Sequence, residues 1–108
     1  IMKWINALYS NKYQQTTRRL QNSDGYCCLG VACKIFIPDN LLYKNRLGYI
    51  VGYTPLAQQN SPRWLKDINV DLYHRTGSAL IDLNDTKLFS FSEIADVLYM
   101  VYILKVLD

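Results

Sequence analysis

The chain has 108 residues, half of them apolar, and a formal net charge of +3. That length forms one domain, 1–108, with room for a real core, and the apolar fraction excludes a disordered chain. The balance is mildly basic: it permits an anionic ligand but points away from a nucleic-acid polymer, whose dedicated binders concentrate charge on one face.

The three cysteines are an odd number, and Cys27 and Cys28 are adjacent. A disulfide framework is therefore not expected, and a reduced, cytoplasmic setting is. Met2-Lys3-Trp4 opens an amphipathic pattern rather than an apolar run, so neither a secretory signal nor a membrane partner is expected.

Met2 to Ser10 reads as a helix, with Trp4, Ile5, Leu8 and Tyr9 on one face and Asn11 as its stop. Lys12 to Gln21 is polar and basic. Its threonines favour an extended form, and Tyr13–Leu20 is expected as the first arm of a hairpin that turns at Asn22–Gly25 and returns through Tyr26. Tyr26 to Phe36 is the central buried element. Apolar residues at 28, 31, 32 and 35 mark a helical face, and only Lys34 is charged. A second reading puts a strand through Gly25–Leu29 and starts the helix at Gly30, and period alone does not separate the two. Gly30 costs about 1 kcal/mol against alanine in a helix interior, which points to close approach by another element.

Pro38 ends that helix. Tyr49 to Tyr53 suits a strand. Pro55 and Gln58–Pro62 read as a loop, Trp64-Leu65 as an apolar anchor, and the alternation Val70 to Arg75 as a short strand broken at Thr76-Gly77-Ser78. Ala79 to Asp85 is a short apolar piece ending in the turn formers Asn84-Asp85, whose side chains are expected to bond the backbone two residues on. Ser90 and Glu93 form a capping box for the final helix, where Phe91, Ile94, Ala95, Leu98 and Val101 recur at helical spacing. Val97–Leu104 is apolar on every side, so a homodimer or another partner on this helix is expected, the alternative being that the helix threads the monomer core. The fold class is α+β: a small antiparallel sheet or hairpin packed with a central buried helix and a long C-terminal helix.

Four groupings bear on chemistry. Cys27, Cys28, Cys33 and His74 have zinc-ligand types but the wrong spacing, so no metal site is expected. Cys27 or Cys28 with His74 offers a nucleophile, but an apolar stretch opposes the lowered pKa that a reactive thiol needs. Asp82 and Asp85 offer paired carboxylates for acid–base work or a metal, but turn chemistry explains Asn84-Asp85, and Asp82, alternating with Ile81 and Leu83, is expected to face water. The remaining stretch is the best ligand site: Lys12, Arg18 and Arg19 for phosphate, Gln15 for polar edges, and Tyr13 and Tyr26 for stacking. No catalytic residue and no cofactor are expected.

Three segments carry a resemblance. They are Trp4-x-x-Ala7-Leu8-x-Ser10-x-Lys12-Tyr13-x-Gln15, then Tyr26-Cys27-Cys28-Leu29-Gly30-Val31, then Leu83-Asn84-Asp85 followed by Ser90-Phe91-Ser92-Glu93-Ile94-Ala95-Asp96. In this order they resemble a family of small tailed-bacteriophage proteins, with Thr16 standing where that pattern has glycine. The resemblance implies a non-enzymatic accessory protein that works by binding in the host cytoplasm. It would be an anti-defence sponge for a nucleotide-derived immune signal or, alternatively, a protein–protein inhibitor of a host RNA polymerase, nuclease or defence effector.

Overall fold

The computed structural model describes residues 1–106. It is α+β, as the patterning implies, with six helices and two separate two-stranded antiparallel sheets among the described residues. In chain order these are α1 (Met2–Tyr9), β1 (Gln21–Asn22), β2 (Gly25–Tyr26), α2 (Cys28–Phe36), β3 (Leu42–Lys44), β4 (Ile50–Tyr53), α3 (Pro55–Asn60), α4 (Arg63–Thr76), α5 (Leu80–Asp85) and α6 (Phe91–Leu98). A π-helical turn, Tyr99–Ile103, continues α6.

Helix α1 forms where its apolar residues fall three and four apart, which puts Trp4, Ile5 and Leu8 fully inside. It lies against α2 and α6. The capping box at α6 is made as the residues dictate: Glu93 N–H donates to Ser90 Oγ at 3.1 Å, and Ser90 N–H donates to the Glu93 carboxylate at 3.0 Å. Behind it Phe91, Ile94, Ala95 and Leu98 are buried. Val101, Val31, Ala32, Ile68, Leu72 and Leu80 close the same core. Trp64 stacks on Trp4, with ring centroids 5.4 Å apart, and meets Phe36 edge to face.

Both readings of the central stretch hold in part. Gly25-Tyr26 is a strand, and helix α2 starts at Cys28 behind Cys27 as its N-cap, earlier than Gly30. The hairpin turn falls where expected, but its first arm does not. The antiparallel pairing joins Gln21 with Tyr26 and Asn22 with Gly25, and Tyr13–Leu20 is a wrapped segment rather than a strand, meeting the hairpin through an isolated parallel bridge of Gln15 with Tyr26. Its polar groups find partners elsewhere in the chain, so it needs no ladder.

Two further expectations are overturned around α4. Residues 55–60 are a helix, because Thr54 caps it through its side chain and Pro55 sits at the first helical position. Residues 70–75 belong to α4, not to a strand: Leu65, Ile68 and Leu72 bury one helical face, while Val70 and Tyr73 are exposed. The final helix runs its apolar stretch along the monomer core. Leu98 and Val101 are buried, Val97, Tyr99, Met100, Tyr102 and Ile103 are half-buried, and Leu104 is exposed. No helix among the described residues is long and apolar enough to cross a membrane.

Candidate functional site

After α1 the chain leaves through Asn11 in the left-handed region and wraps over the first turn of α2. Three backbone contacts hold it there. Tyr26 N–H donates to Gln14 O at 2.8 Å, Thr16 N–H donates to Tyr26 O at 2.7 Å, and Cys27 N–H donates to Leu20 O at 3.2 Å. Two glycines make the approach possible. A Cβ on Gly30 would lie 1.8 Å from Leu20 O, and one on Gly25, at φ +145°, would lie 2.1 Å from Gln14 O. The cost of Gly30 in α2 is thus offset by the segment packed against it.

Asn84 is the hub beneath this segment and is 1% exposed. Its Oδ1 accepts from Gln15 Nε2 at 3.0 Å and from Cys28 N–H at 3.2 Å. Its Nδ2 donates to Thr16 O at 2.9 Å and to Asp85 Oδ1 at 2.8 Å. Gln15 completes the link to α6: its Nε2 also donates to Phe89 O, and its Oε1 accepts from Phe91 N–H. The three resembling segments therefore meet in one hydrogen-bonded cluster. Sequence patterning made Asn84-Asp85 a local turn. Instead they end α5, and their side chains reach back to residues 15–18.

This geometry redistributes the six expected ligand residues. Gln15 is committed inward, with all its described hydrogen bonds to the protein. Tyr13 and Tyr26 pack edge to face at 5.5 Å, and Lys12 sits 5.6 Å from the Tyr13 ring. Arg18 and Arg19 are exposed at the rim of a cleft of about 150 Å³ that Leu20, Cys27, Leu29, Ile81 and Asp85 also line. Arg18 itself stands at φ +67°, strained for a residue with a Cβ, and its N–H donates to Asp85 Oδ1 at 2.9 Å. The cleft opens at the N-terminal turn of α2, the positive end of that helix. Lys12, Tyr13, Gln15 and Tyr26 do not line it.

The thiols are poor nucleophiles here. Burial pushes Cys27 up, with partial relief from the Gly30 and Leu29 N–H groups, and pushes Cys28 further. Burial also takes Cys33 up to about 12. His74 is exposed near the end of α4, against Tyr73, and no hydrogen bond joins it to Cys27 or Cys28. No group of three or more His, Cys, Asp or Glu side chains among the described residues could hold a metal ion.

A domain of unknown function, DUF8296, matches residues 1–56, just over half of the 108. The chain belongs to the DUF8296 family. No curated protein and no solved structure matches it. The DUF8296 match spans α1, the wrapped segment, α2 and both hairpins, and so includes Gln15, Gly30 and the two arginines. Asn84 and Asp85, which complete the cluster, lie beyond it.

Patterning set Asp85 aside and gave Asn84 no role beyond a turn, because their partners Gln15 and Arg18 stand almost seventy positions away. It also missed a cleft of about 510 Å³ where Tyr53, Gln58, Gln59, Arg63, Lys66 and Asp67 meet. That cleft is built by α3 and the start of α4, which patterning read as a loop and an anchor.

Proposed function

We propose that this chain is a non-enzymatic binding protein, a tailed-phage accessory factor that sequesters a nucleotide-derived defence signal in the host cytoplasm. The observation that carries the reading is the Arg18–Arg19 rim. The backbone at Arg18, left-handed and pinned by Asp85, which Asn84 braces, carries two exposed arginines at the cleft beside the positive end of α2. Strain of this kind collects at ligand sites, and guanidinium suits phosphate. The cleft holds a phosphate-sized group rather than a whole nucleotide, which needs roughly 300 Å³ or more. The remainder of the ligand would rest outside the cleft, against a second copy of the chain. Exposed Leu104 and Val106, beyond the half-buried Tyr99, Met100, Tyr102 and Ile103, favour such a homodimer.

The test is calorimetric titration of the protein with a panel of cyclic mono-, di- and trinucleotides. The R18A/R19A variant is expected to abolish binding and keep its far-UV spectrum. Binding that survives R18A/R19A but is lost in R63A/K66A would move the site to the larger cleft and refute the assignment.

A second reading is a protein–protein inhibitor of a host RNA polymerase, nuclease or defence effector. The β3–β4 hairpin favours it, because Tyr43, Leu47 and Val51 are 52%, 77% and 54% exposed. An inhibitor would tolerate R18A/R19A.

A further inference from the structure

A cleft of about 410 Å³ lies between α4 and the turn that follows α6, lined by Ile1, Trp64, Asp67, Ile68, Asp71 and Tyr102. Its volume falls in the range of small organic ligands, roughly 300–1,000 Å³. Its chemistry runs against the basic balance of the chain, because the lining has two carboxylates, two aromatic rings and no lysine or arginine. Asp67 and Asp71 stand one helical turn apart and so share a face of α4. Asp67 is exposed and makes no hydrogen bond or ion pair among the described residues.

The molecule already shows what this wall accepts. On its other side Arg75 Nε donates to Asp71 Oδ2 at 2.9 Å, and the guanidinium sits 5.7 Å from the Tyr102 ring centroid. Tyr102 O–H donates to the same Asp71 oxygen at 2.6 Å, so ring and carboxylate are fixed as a pair. An aromatic face beside a carboxylate attracts a cation through both its quadrupole and its charge.

We propose that this cleft binds an organic cation, an alkylammonium or guanidinium group. Its charge lies against Asp67 and Asp71, and its carbon stem lies along Trp64 and Tyr102. This site is separate from the Arg18–Arg19 rim and opposite to it in sign. The neighbouring cleft that shares Asp67 presents Arg63 and Lys66 and so repels the same ligand.

The test is titration of the ¹⁵N-labelled chain with spermidine and, separately, with N-acetyl-arginine amide, with N-acetyl-citrulline amide as the uncharged match. Saturable shifts are expected at the Trp64 indole and at the amides of residues 67–71, while the Asn84 side-chain amide stays fixed. D67N alters an exposed side chain, so the fold is retained. It should weaken binding about 5-fold, the worth of one partly exposed charge contact. Saturation by spermidine alone names a free polyamine as the source, and saturation by the arginine amide alone names a partner's side chain. Either result supports the site. No saturation with either probe, an equal response to citrulline, or unchanged affinity in D67N overturns it.

Discussion

Replacing Asn84 by alanine removes four hydrogen bonds at once, but the cost is not four equal parts. Gln15 Nε2 keeps Phe89 O as a partner, and Asp85 Oδ1 keeps the Arg18 N–H. The Cys28 N–H and the Thr16 carbonyl lose the partner that Asn84 supplied. A buried orphan costs about 1–3 kcal/mol; the Cys28 N–H is buried and the Thr16 carbonyl part-buried, so N84A should lose about 3 kcal/mol. Against a total of roughly 5–15 kcal/mol for a small domain, that is a large share. It corresponds to a fall in Tm of roughly 15 °C. Urea unfolding followed by tryptophan fluorescence measures the loss, because the buried Trp4 indole donates to Cys28 O, next to the hub. N84D sharpens the test. Its carboxylate faces the Thr16 carbonyl and Asp85, so burial and like charge raise its folded pKa above the unfolded value. Its stability relative to wild type is therefore best at acid pH and lost as pH rises through the folded pKa. A loss below about 1 kcal/mol in N84A, together with no pH dependence in N84D, would refute the role of Asn84 as hub.

Three further outcomes follow from the same geometry. G30A drives a Cβ into the Leu20 carbonyl, which is backbone and cannot swing aside, so a loss of about 2 kcal/mol or more is expected in thermal unfolding. G52A, whose Cβ would meet only the Tyr43 ring at 3.7 Å, should cost much less. Tyr9 donates to Asp96 at 2.5 Å, and that bond takes the phenol up to about 12. Its contribution is whole below pH 10 and lost as pH rises from 10 to 12, so an alkaline unfolding series should flatten in Y9F. R18A/R19A should unfold within about 0.5 kcal/mol of wild type, because both side chains are exposed, and any loss of binding then reports on the ligand.

Elements set by near neighbours in the sequence were legible. The capping box at Ser90 and Glu93, the face of α1, and strand β4 follow from residues within one or two turns of each other. Helix α4 was misread because the window was too short. Val70 to Arg75 alternates, but the burial of Leu65, Ile68 and Leu72 has helical spacing over the whole element. Helix α3 was hidden by its polar Gln58-Gln59-Asn60, although Thr54-Pro55 is a sound start signal. The wrapped segment was beyond reading. Gln15 has the chemistry of a ligand reader, and only the fold places Asn84, Phe89 and Phe91 around it. Arg18 and Arg19 stand out by residue type as candidates for an anion, but the left-handed backbone at Arg18 and the cleft that sets both apart from Lys12 and the tyrosine pair are not readable in the sequence.

The most direct measurement is native mass spectrometry of the protein drawn from phage-infected, defence-active cells, followed by denaturation and analysis of what is released. A dimer carrying a small nucleotide that comes off chemically unchanged is expected, and an empty dimer for R18A/R19A. An empty wild-type chain held by a host polypeptide, or a released ligand that has been cleaved, would contradict the proposed function.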